Sequence, residues 1–345
     1  MAFKVAIVGA TGAVGQELLK VLRERRFPVA DLKLLASARS AGTVLEFAGQ
    51  KIEVEEARPS SFAGVDIAFF SAGGSVSQQL VPAAVDRGAL VIDNTSAFRM
   101  KPDVPLVVPE VNPEDCREHH GIIANPNCST IIMAVALYPL HRLSPLRRVI
   151  VSTYQAVSGA GARAMAELVE QVKAFARGQE LQASILPYAA APKHFPIAFN
   201  LIPHIDVFQD GGYTKEEWKM VLETRKILHE PDLPITATTV RVPVLRCHSE
   251  SINVETEEKL TAVRVREALA AAPGVKVADD PQNQVYPMPL ELAGSDDVYV
   301  GRIREDLSHP RAVNLWVVGD QIRKGAALNA VQIAEYCAQR GWIGK

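Results

Sequence analysis

The sequence predicts an α/β protein, a Rossmann-like, doubly wound parallel sheet joined to an α+β domain whose sheet is mainly antiparallel. Three observations carry that expectation. A glycine loop, Gly9-Ala10-Thr11-Gly12-Ala13-Val14-Gly15, stands between an apolar run and a helix-period run. The apolar runs that follow alternate with helix-compatible segments as far as about residue 130. Beyond that point β-prone runs crowd together with few helices between them. At 345 residues the chain is long for one core. The expected division is 1–130 plus 325–345 for a nucleotide-binding domain and 131–324 for a second, substrate domain.

The first strand is Val5-Ala6-Ile7-Val8. The G-x-x-G-x-x-G loop after it lets backbone approach a pyrophosphate at a helix N-terminus. A tight βα turn without a ligand is the competing reading. Val14, Leu18, Val21 and Leu22 then repeat at helical spacing until Pro28. The second strand, residues 32–36, ends in Ser37-Ala38-Arg39-Ser40-Ala41-Gly42. A binder of NAD carries an acidic residue here for the ribose hydroxyls. This chain offers Arg39 and the hydroxyls of Ser37 and Ser40, partners for a 2′-phosphate, so NADP is expected. The alternative is a solvated turn with one exposed arginine.

Further strands are expected at 65–70, 90–92, 106–108 and 121–124. Ser71-Ala72-Gly73-Gly74 and Asn94-Thr95-Ser96-Ala97-Phe98-Arg99 fall at strand C-terminal ends, where ligands of such sheets bind. Arg99 is suited to a bidentate grip on an anion, although a loop arginine is commonly just solvated.

Asn125-Pro126-Asn127-Cys128-Ser129-Thr130 follows one apolar run and opens another, which reads as strand, turn and helix. Cys128 then sits at a helix N-terminus, where unpaired amides and the helix dipole favour a thiolate. A thiolate is a nucleophile, and the same amides hold an oxyanion. With the glycine loop, this implies a thioester reduced by a nicotinamide.

In the second domain strands are expected at 149–157, 235–244, 251–254, 298–303 and 313–318. An irregular stretch is expected over 179–212, and a last amphipathic helix over 325–340. Glu216 and Lys219 are i,i+3 and share a helix face. By spacing alone, a surface ion pair worth a few tenths of a kcal/mol is the default. Arg241 lies in a strand-like run and suits either a carboxylate or solvent. His248, in Arg246-Cys247-His248-Ser249, titrates near neutrality in its ordinary state and so suits proton transfer, but a lone histidine is more often structural.

The content, 48% hydrophobic and 22% charged, is that of an ordinary globule. A net charge of −2 gives no electrostatic case for nucleic acid or an anionic membrane. No apolar run is long enough to span a bilayer, and no signal peptide is visible. The four cysteines, Cys116, Cys128, Cys247 and Cys337, lack metal-like spacing, so no metal is expected. A reduced, cytoplasmic protein is the expectation.

Over essentially its full length the chain resembles the aspartate-β-semialdehyde dehydrogenases, in their bacterial branch. The resemblance rests on the four stretches already quoted at 9–15, 37–42, 94–99 and 125–130. It continues through Tyr154-Gln155-Ala156-Val157-Ser158-Gly159-Ala160-Gly161, Glu216-Glu217-Trp218-Lys219-Met220 and Arg241-Val242-Pro243 with His248. It ends in Arg323-Lys324-Gly325-Ala326-Ala327-Leu328-Asn329. The resemblance implies NADPH-dependent reductive dephosphorylation of L-aspartyl-4-phosphate to L-aspartate 4-semialdehyde, by a homodimer built largely on 131–324 as a catalytic and dimerisation domain, with a tetramer as the alternative assembly. It implies Cys128 as nucleophile, His248 as acid/base and Gln155 positioning the acyl intermediate. Arg241 would hold the substrate carboxylate and Glu216 its ammonium, with Arg99, Lys219 and Asn127 receiving phosphate. Gly9, Thr11, Gly12, Ala13, Val14, Gly15, Ser37, Arg39, Ser40, Ser71, Gly73, Ser158, Gly159 and Gln321 are the expected cofactor contacts. Gln321 departs from the family pattern, which has Asn there. A related acyl-phosphate reductase, such as N-acetyl-γ-glutamyl-phosphate reductase, is the nearest alternative. A non-catalytic NADP-binding protein is the alternative of a different class.

Overall fold

The structure, a computed structural model, describes residues 2–344. It divides into two compact units, Met1–Asn127 with Gly325–Lys345, and Cys128–Lys324.

The first unit opens with β1 (Phe3–Val8), α1 (Ala13–Glu24) and β2 (Val29–Ala36). It continues through β3 (Val44–Phe47), β4 (Gln50–Glu56), β5 (Ile67–Phe70), α2 (Gly74–Val85), β6 (Leu90–Asp93) and β7 (Ile122–Ala124). The strand order is β3-β4-β2-β1-β5-β6-β7. All neighbours are parallel except β3 and β4. β1 lies in the middle, covered on both faces, which is why it is apolar nearly throughout. α1 turns Leu18, Leu19, Val21 and Leu22 inward.

Two expectations need correction here. The β3–β4 hairpin was not anticipated, because its strands are mostly polar on an exposed edge. Residues 106–108 do not form a strand. Leu106 makes one isolated parallel bridge to Ala124. The side chain of Asn112 accepts from Val108 N and donates to Leu106 O, occupying groups that a ladder would use.

The second unit runs α3 (Cys128–Leu143), β8 (Leu146–Gln155), α4 (Ala162–Ala176), α5 (Lys215–Leu228), β9 (Ile235–Arg241) and β10 (His248–Thr256). Then come α6 (Ala262–Ala271), β11 (Val275–Val277), α7 (Pro289–Leu292), β12 (Val298–Glu305) and β13 (Ala312–Gly319). The order is β11-β12-β13-β10-β8-β9. The three inner pairings are antiparallel and the two outer ones parallel. β8 alternates in the way a one-sided sheet requires. Val149, Val151, Thr153 and Gln155 are buried, while Ile150, Ser152 and Tyr154 are partly exposed. α3 packs on the sheet, with α5 and α6 beside it.

Residues 179–212 are irregular, with a 3₁₀ turn at Asp210–Gly212. The buried side chain of Gln171 holds the stretch. Its Oε1 accepts from Ile197 N and Ala198 N, and its Nε2 donates to Gln182 O. After a π turn at Arg323–Ala327, α8 (Leu328–Arg340) returns to the first unit. There Leu328, Val331, Ile333, Ala334 and Cys337 share a core with Ile7 and Leu18. Among the described residues no helix is long and apolar enough to cross a membrane.

Candidate active site

The nucleotide cradle of the first unit is made by close backbone packing. Gly9 has φ 91°, and a Cβ on it would lie 2.9 Å from the carbonyl carbon of Ser71. The glycine loop after β1 and the loop after β5 therefore touch at the point where strand order reverses, the crevice in which such sheets bind ligands. A Cβ on Gly15 would meet Gly9 O at 2.2 Å, so α1 approaches the loop as only glycine allows. Thr11, Ala13 and Val14 are partly exposed, Gly12 is exposed and serves as the N-cap, and the amides of the first turn are available to a pyrophosphate. Gly73 has φ 98° and stands at the N-cap of α2. Beyond β2, Ser37, Arg39 and Ser40 form an accessible turn with no carboxylate among residues 37–42. The residues present fit a phosphorylated dinucleotide.

Arg99, in the same unit, is buried rather than solvated. Its Nε donates to Asn125 O at 2.9 Å and its Nη2 to Asn94 O at 2.8 Å. It ties the loop after β6 to the turn before Cys128. Asn329 Nδ2 also donates to Asn125 Oδ1, at 2.7 Å. Asp93 at the end of β6 accepts from Ser77 Oγ, Thr95 N and Thr95 Oγ1 and fixes the root of the Arg99 loop. Burial raises its carboxyl above the usual range, against the pull of those donors and of Arg99.

In the second unit, strand register brings the predicted catalytic side chains to one end of the sheet. Gln155, last in β8, is paired with Arg241, last in β9. β10 runs antiparallel to β8, and its Ser249 is paired with Tyr154, which sets His248 level with Gln155. His248 is in turn paired with Gly319, last in β13. α3 begins at Cys128 over this end, and Gln155 Nε2 donates to Ser129 Oγ at 2.9 Å. Of the four thiols, Cys128 alone is not buried. Burial pushes the Cys247 thiol up to about 12. Asn127, one residue earlier, is buried.

Arg241 is buried, and its Nη1 donates to Ala156 O at 2.7 Å. Burial pulls its guanidinium below the ordinary value, and the charges of Glu216 and Cys128 pull the other way. A cation within reach of Cys128 at a helix start favours the thiolate. His248 Nδ1 accepts from Ala156 N at 3.0 Å, which places its proton on Nε2. Nε2 is buried and has no protein partner. Burial, then the Arg241 charge, lowers the imidazole to about 3. The expectation that His248 titrates near neutrality is thereby corrected, since the folded site holds it neutral. Gly159 packs against both groups, for a Cβ there would lie 2.7 Å from Arg241 Nη1 and 3.3 Å from His248 Nε2.

Glu216 and Lys219 are not the surface pair that spacing alone suggests. Glu216 is 5% exposed, and its Oε1 accepts from Gln155 Nε2 at 3.2 Å. Lys219 Nζ donates to Glu216 Oε2 at 3.0 Å and to Asp206 Oδ2 at 2.9 Å. Burial opposes the Lys219 charge, but the two carboxylates more than offset it and hold the ammonium above its ordinary value. The neighbouring Glu217 is engaged elsewhere. It completes the capping box with Thr214 and accepts from Thr239 N at 2.9 Å. Helix phase and capping thus assign Glu216, not Glu217, to the cluster.

Gln321 is also committed to protein partners. Its Oε1 accepts from Cys247 N at 2.9 Å, and its Nε2 donates to Ser158 Oγ. Cys247 has φ 73°, so this bond secures a left-handed residue next to His248. Asp93, Asp206 and the Ala156 amide were not singled out in the sequence. The first two lie beside expected site residues, and a backbone amide leaves no trace in residue type. No group of three or more His, Cys, Asp or Glu among the described residues is placed to hold a metal ion.

Residues 4–119 match a family model described as the semialdehyde dehydrogenase NAD-binding domain, and residues 137–324 match the semialdehyde dehydrogenase dimerisation domain. The chain is 57% identical over 332 residues to the aspartate-semialdehyde dehydrogenase of Bacillus subtilis, covering 96% of each chain. It is 55% identical over 340 residues to that of Synechocystis sp., covering 99% of this chain and 98% of the relative. Among solved structures it is similar to aspartate semialdehyde dehydrogenase II from Vibrio cholerae complexed with ASA. That match has TM-score 0.93 and 46% identity over 98% of this chain and 99% of the other. The Candida albicans aspartate semialdehyde dehydrogenase with NADP matches at TM-score 0.75 and 25% identity, over 99% of each.

Proposed function

The chain belongs to the aspartate-semialdehyde dehydrogenase family, and we propose from that premise how its own residues perform the reaction. The reaction is NADPH-dependent reduction of L-aspartyl-4-phosphate to L-aspartate 4-semialdehyde with release of phosphate. It feeds lysine, through diaminopimelate, and threonine, methionine and isoleucine synthesis. The observation that carries the assignment is the convergence of Gln155, Arg241 and His248 at one sheet end, beneath the helix that begins at Cys128.

The Cys128 thiolate attacks the acyl carbonyl of the mixed anhydride. Backbone N–H groups at the start of α3 hold the tetrahedral oxyanion. The carbon–oxygen bond to phosphate breaks, and phosphate departs with the electron pair toward the cationic groups assigned to it, Arg99 and Lys219, with Asn127. A thioester on Cys128 remains, oriented by Gln155. When bound, the nicotinamide supplies a hydride to the thioester carbon. His248 Nε2–H donates a hydrogen bond to the oxygen that gains charge and keeps its proton, and the oxyanion collapses as the carbon–sulfur bond breaks. Aldehyde leaves and the thiolate is regenerated. Arg241 grips the α-carboxylate in two-pronged fashion, and Glu216 takes the α-ammonium.

The cofactor is NADP(H), held by Gly9, Thr11, Gly12, Ala13, Val14, Gly15, Ser71 and Gly73, with Ser37, Arg39 and Ser40 on the 2′-phosphate. Ser158, Gly159 and Gln321 are assigned to the nicotinamide end. The Candida albicans relative with NADP supports this use. The dimerisation-domain match over residues 137–324 supports a homodimer built on the second unit. The test is phosphate-dependent reduction of NADP with L-aspartate 4-semialdehyde, run beside N-acetylglutamate semialdehyde. Turnover with the first alone, lost without phosphate, is expected. Turnover with the second alone would move the chain to the related acyl-phosphate reductases.

A further inference from the structure

Asp206 lies near the end of the irregular stretch, ahead of α5, and has φ 66°, in the left-handed region. Few residues other than glycine tolerate that conformation, and Asp does so when its side chain bonds locally. Here Oδ1 accepts from Val207 N at 2.9 Å. Oδ2 accepts from Lys219 Nζ at 2.9 Å, and Lys219 Nζ also donates to Glu216 Oε2 at 3.0 Å. One ammonium is therefore bracketed by two carboxylates. Arg241 also acts on Glu216, so Glu216 with Lys219 and Arg241 would leave one net positive charge, which Asp206 brings to neutrality. Offsetting that positive charge favours an ammonium group and disfavours an anion. A left-handed backbone fixed at a charged cluster is the kind of local strain that functional sites retain.

We propose that Asp206 is a specificity-determining residue, which offsets the Lys219 charge beside Glu216 so that the site favours the substrate's α-ammonium and binds phosphate only loosely. Asp206 reaches the substrate through Lys219 and Glu216, so the proposal rests on the assignment of Glu216 to the ammonium. A phosphate that must leave in each turnover is better held weakly, and Asp206 limits the grip of Lys219 on it.

The test is Asp206→Asn, which keeps shape, tolerates the left-handed backbone and still accepts from Val207 N. KM is measured for L-aspartate 4-semialdehyde and for inorganic phosphate with NADP, beside Glu216→Gln. Asp206→Asn is expected to raise the semialdehyde KM about tenfold and lower the phosphate KM about threefold. Loss of packing alone would not move the two in opposite directions. Both constants unchanged, or both raised together, overturns the proposal. If Glu216→Gln leaves the semialdehyde KM unchanged, the ammonium assignment itself fails. If Glu216→Gln raises it and Asp206→Asn does not, only the role of Asp206 fails. Asp206→Gly, which suits the same φ, serves in the same assay if the Asn variant does not fold.

Discussion

Gly159→Ala tests the site geometry with a single methyl group. The new Cβ would lie 2.7 Å from Arg241 Nη1, 3.2 Å from His248 Cε1 and 3.3 Å from His248 Nε2. Ordinary heavy-atom contact needs about 3.5 Å, so Arg241 must yield by about 0.8 Å. It has little freedom to do so, because it is 4% exposed and its Nη1 is bonded to Ala156 O at 2.7 Å. Gly159 is not at positive φ, so the backbone itself accepts alanine. Overpacking of this kind costs about 1–3 kcal/mol, a fall of several degrees in Tm that leaves the fold intact. Displacing a substrate clamp by close to an ångström costs about a hundredfold in rate. Steady-state kcat/KM with L-aspartate 4-semialdehyde and phosphate is expected to fall by about that factor. A thermal melt and an NADP titration report fold and cofactor affinity separately. A variant that binds NADP normally and keeps kcat/KM within about twofold of the parent would refute the packing of Gly159 against Arg241 and His248.

Cys128→Ala is expected to abolish turnover while NADPH still binds, as fluorescence of the bound nicotinamide will show; substantial residual activity would exclude the covalent route. Arg39→Ala is expected to weaken NADPH relative to NADH, and equal loss for both would remove Arg39 from the 2′-phosphate. Arg241→Lys is expected to damage substrate use severely, since an ammonium cannot reproduce a two-pronged contact, and unchanged kcat and KM would place Arg241 outside the site. His248 predicts an acid-sensitive fold. Its folded value of about 3 lies below the ordinary 6.5, so the unfolded chain binds the extra proton. The stability it contributes is complete above about pH 6.5 and is lost at about 1.4 kcal/mol per unit as pH falls toward 3. His248→Gln is expected to flatten denaturant midpoints measured between those limits, and identical pH dependence in both proteins would contradict a buried neutral imidazole.

The sheet of the first unit was legible because central parallel strands are continuous apolar runs between glycine turns. β1, β5 and β6 are of that kind. The β3–β4 hairpin was not, because an exposed edge has no such run. The sequence pattern placed residues 106–108 in a strand because it shows apolar residues and not the Asn112 side chain that satisfies their backbone. β10 was expected at 251–254 and extends back to His248, since His248, Ser249 and Glu250 are polar yet buried. That extension matters most, for it brings His248 level with Gln155 by register alone. Residue type pointed to Cys128 and Arg241, but the burial of Glu216 and the tautomer of His248 depend on pairings across 61 and 92 residues of chain.

The most direct test of the thioester is single-turnover chemistry without phosphate. Enzyme is mixed with NADP and L-aspartate 4-semialdehyde, nicotinamide reduction is followed, and the protein is quenched for peptide mass spectrometry. One equivalent of NADPH per site, with an aspartyl adduct on the Cys128 peptide that phosphate discharges, is the result predicted. Continued turnover without a burst and without an adduct on Cys128 would contradict the account.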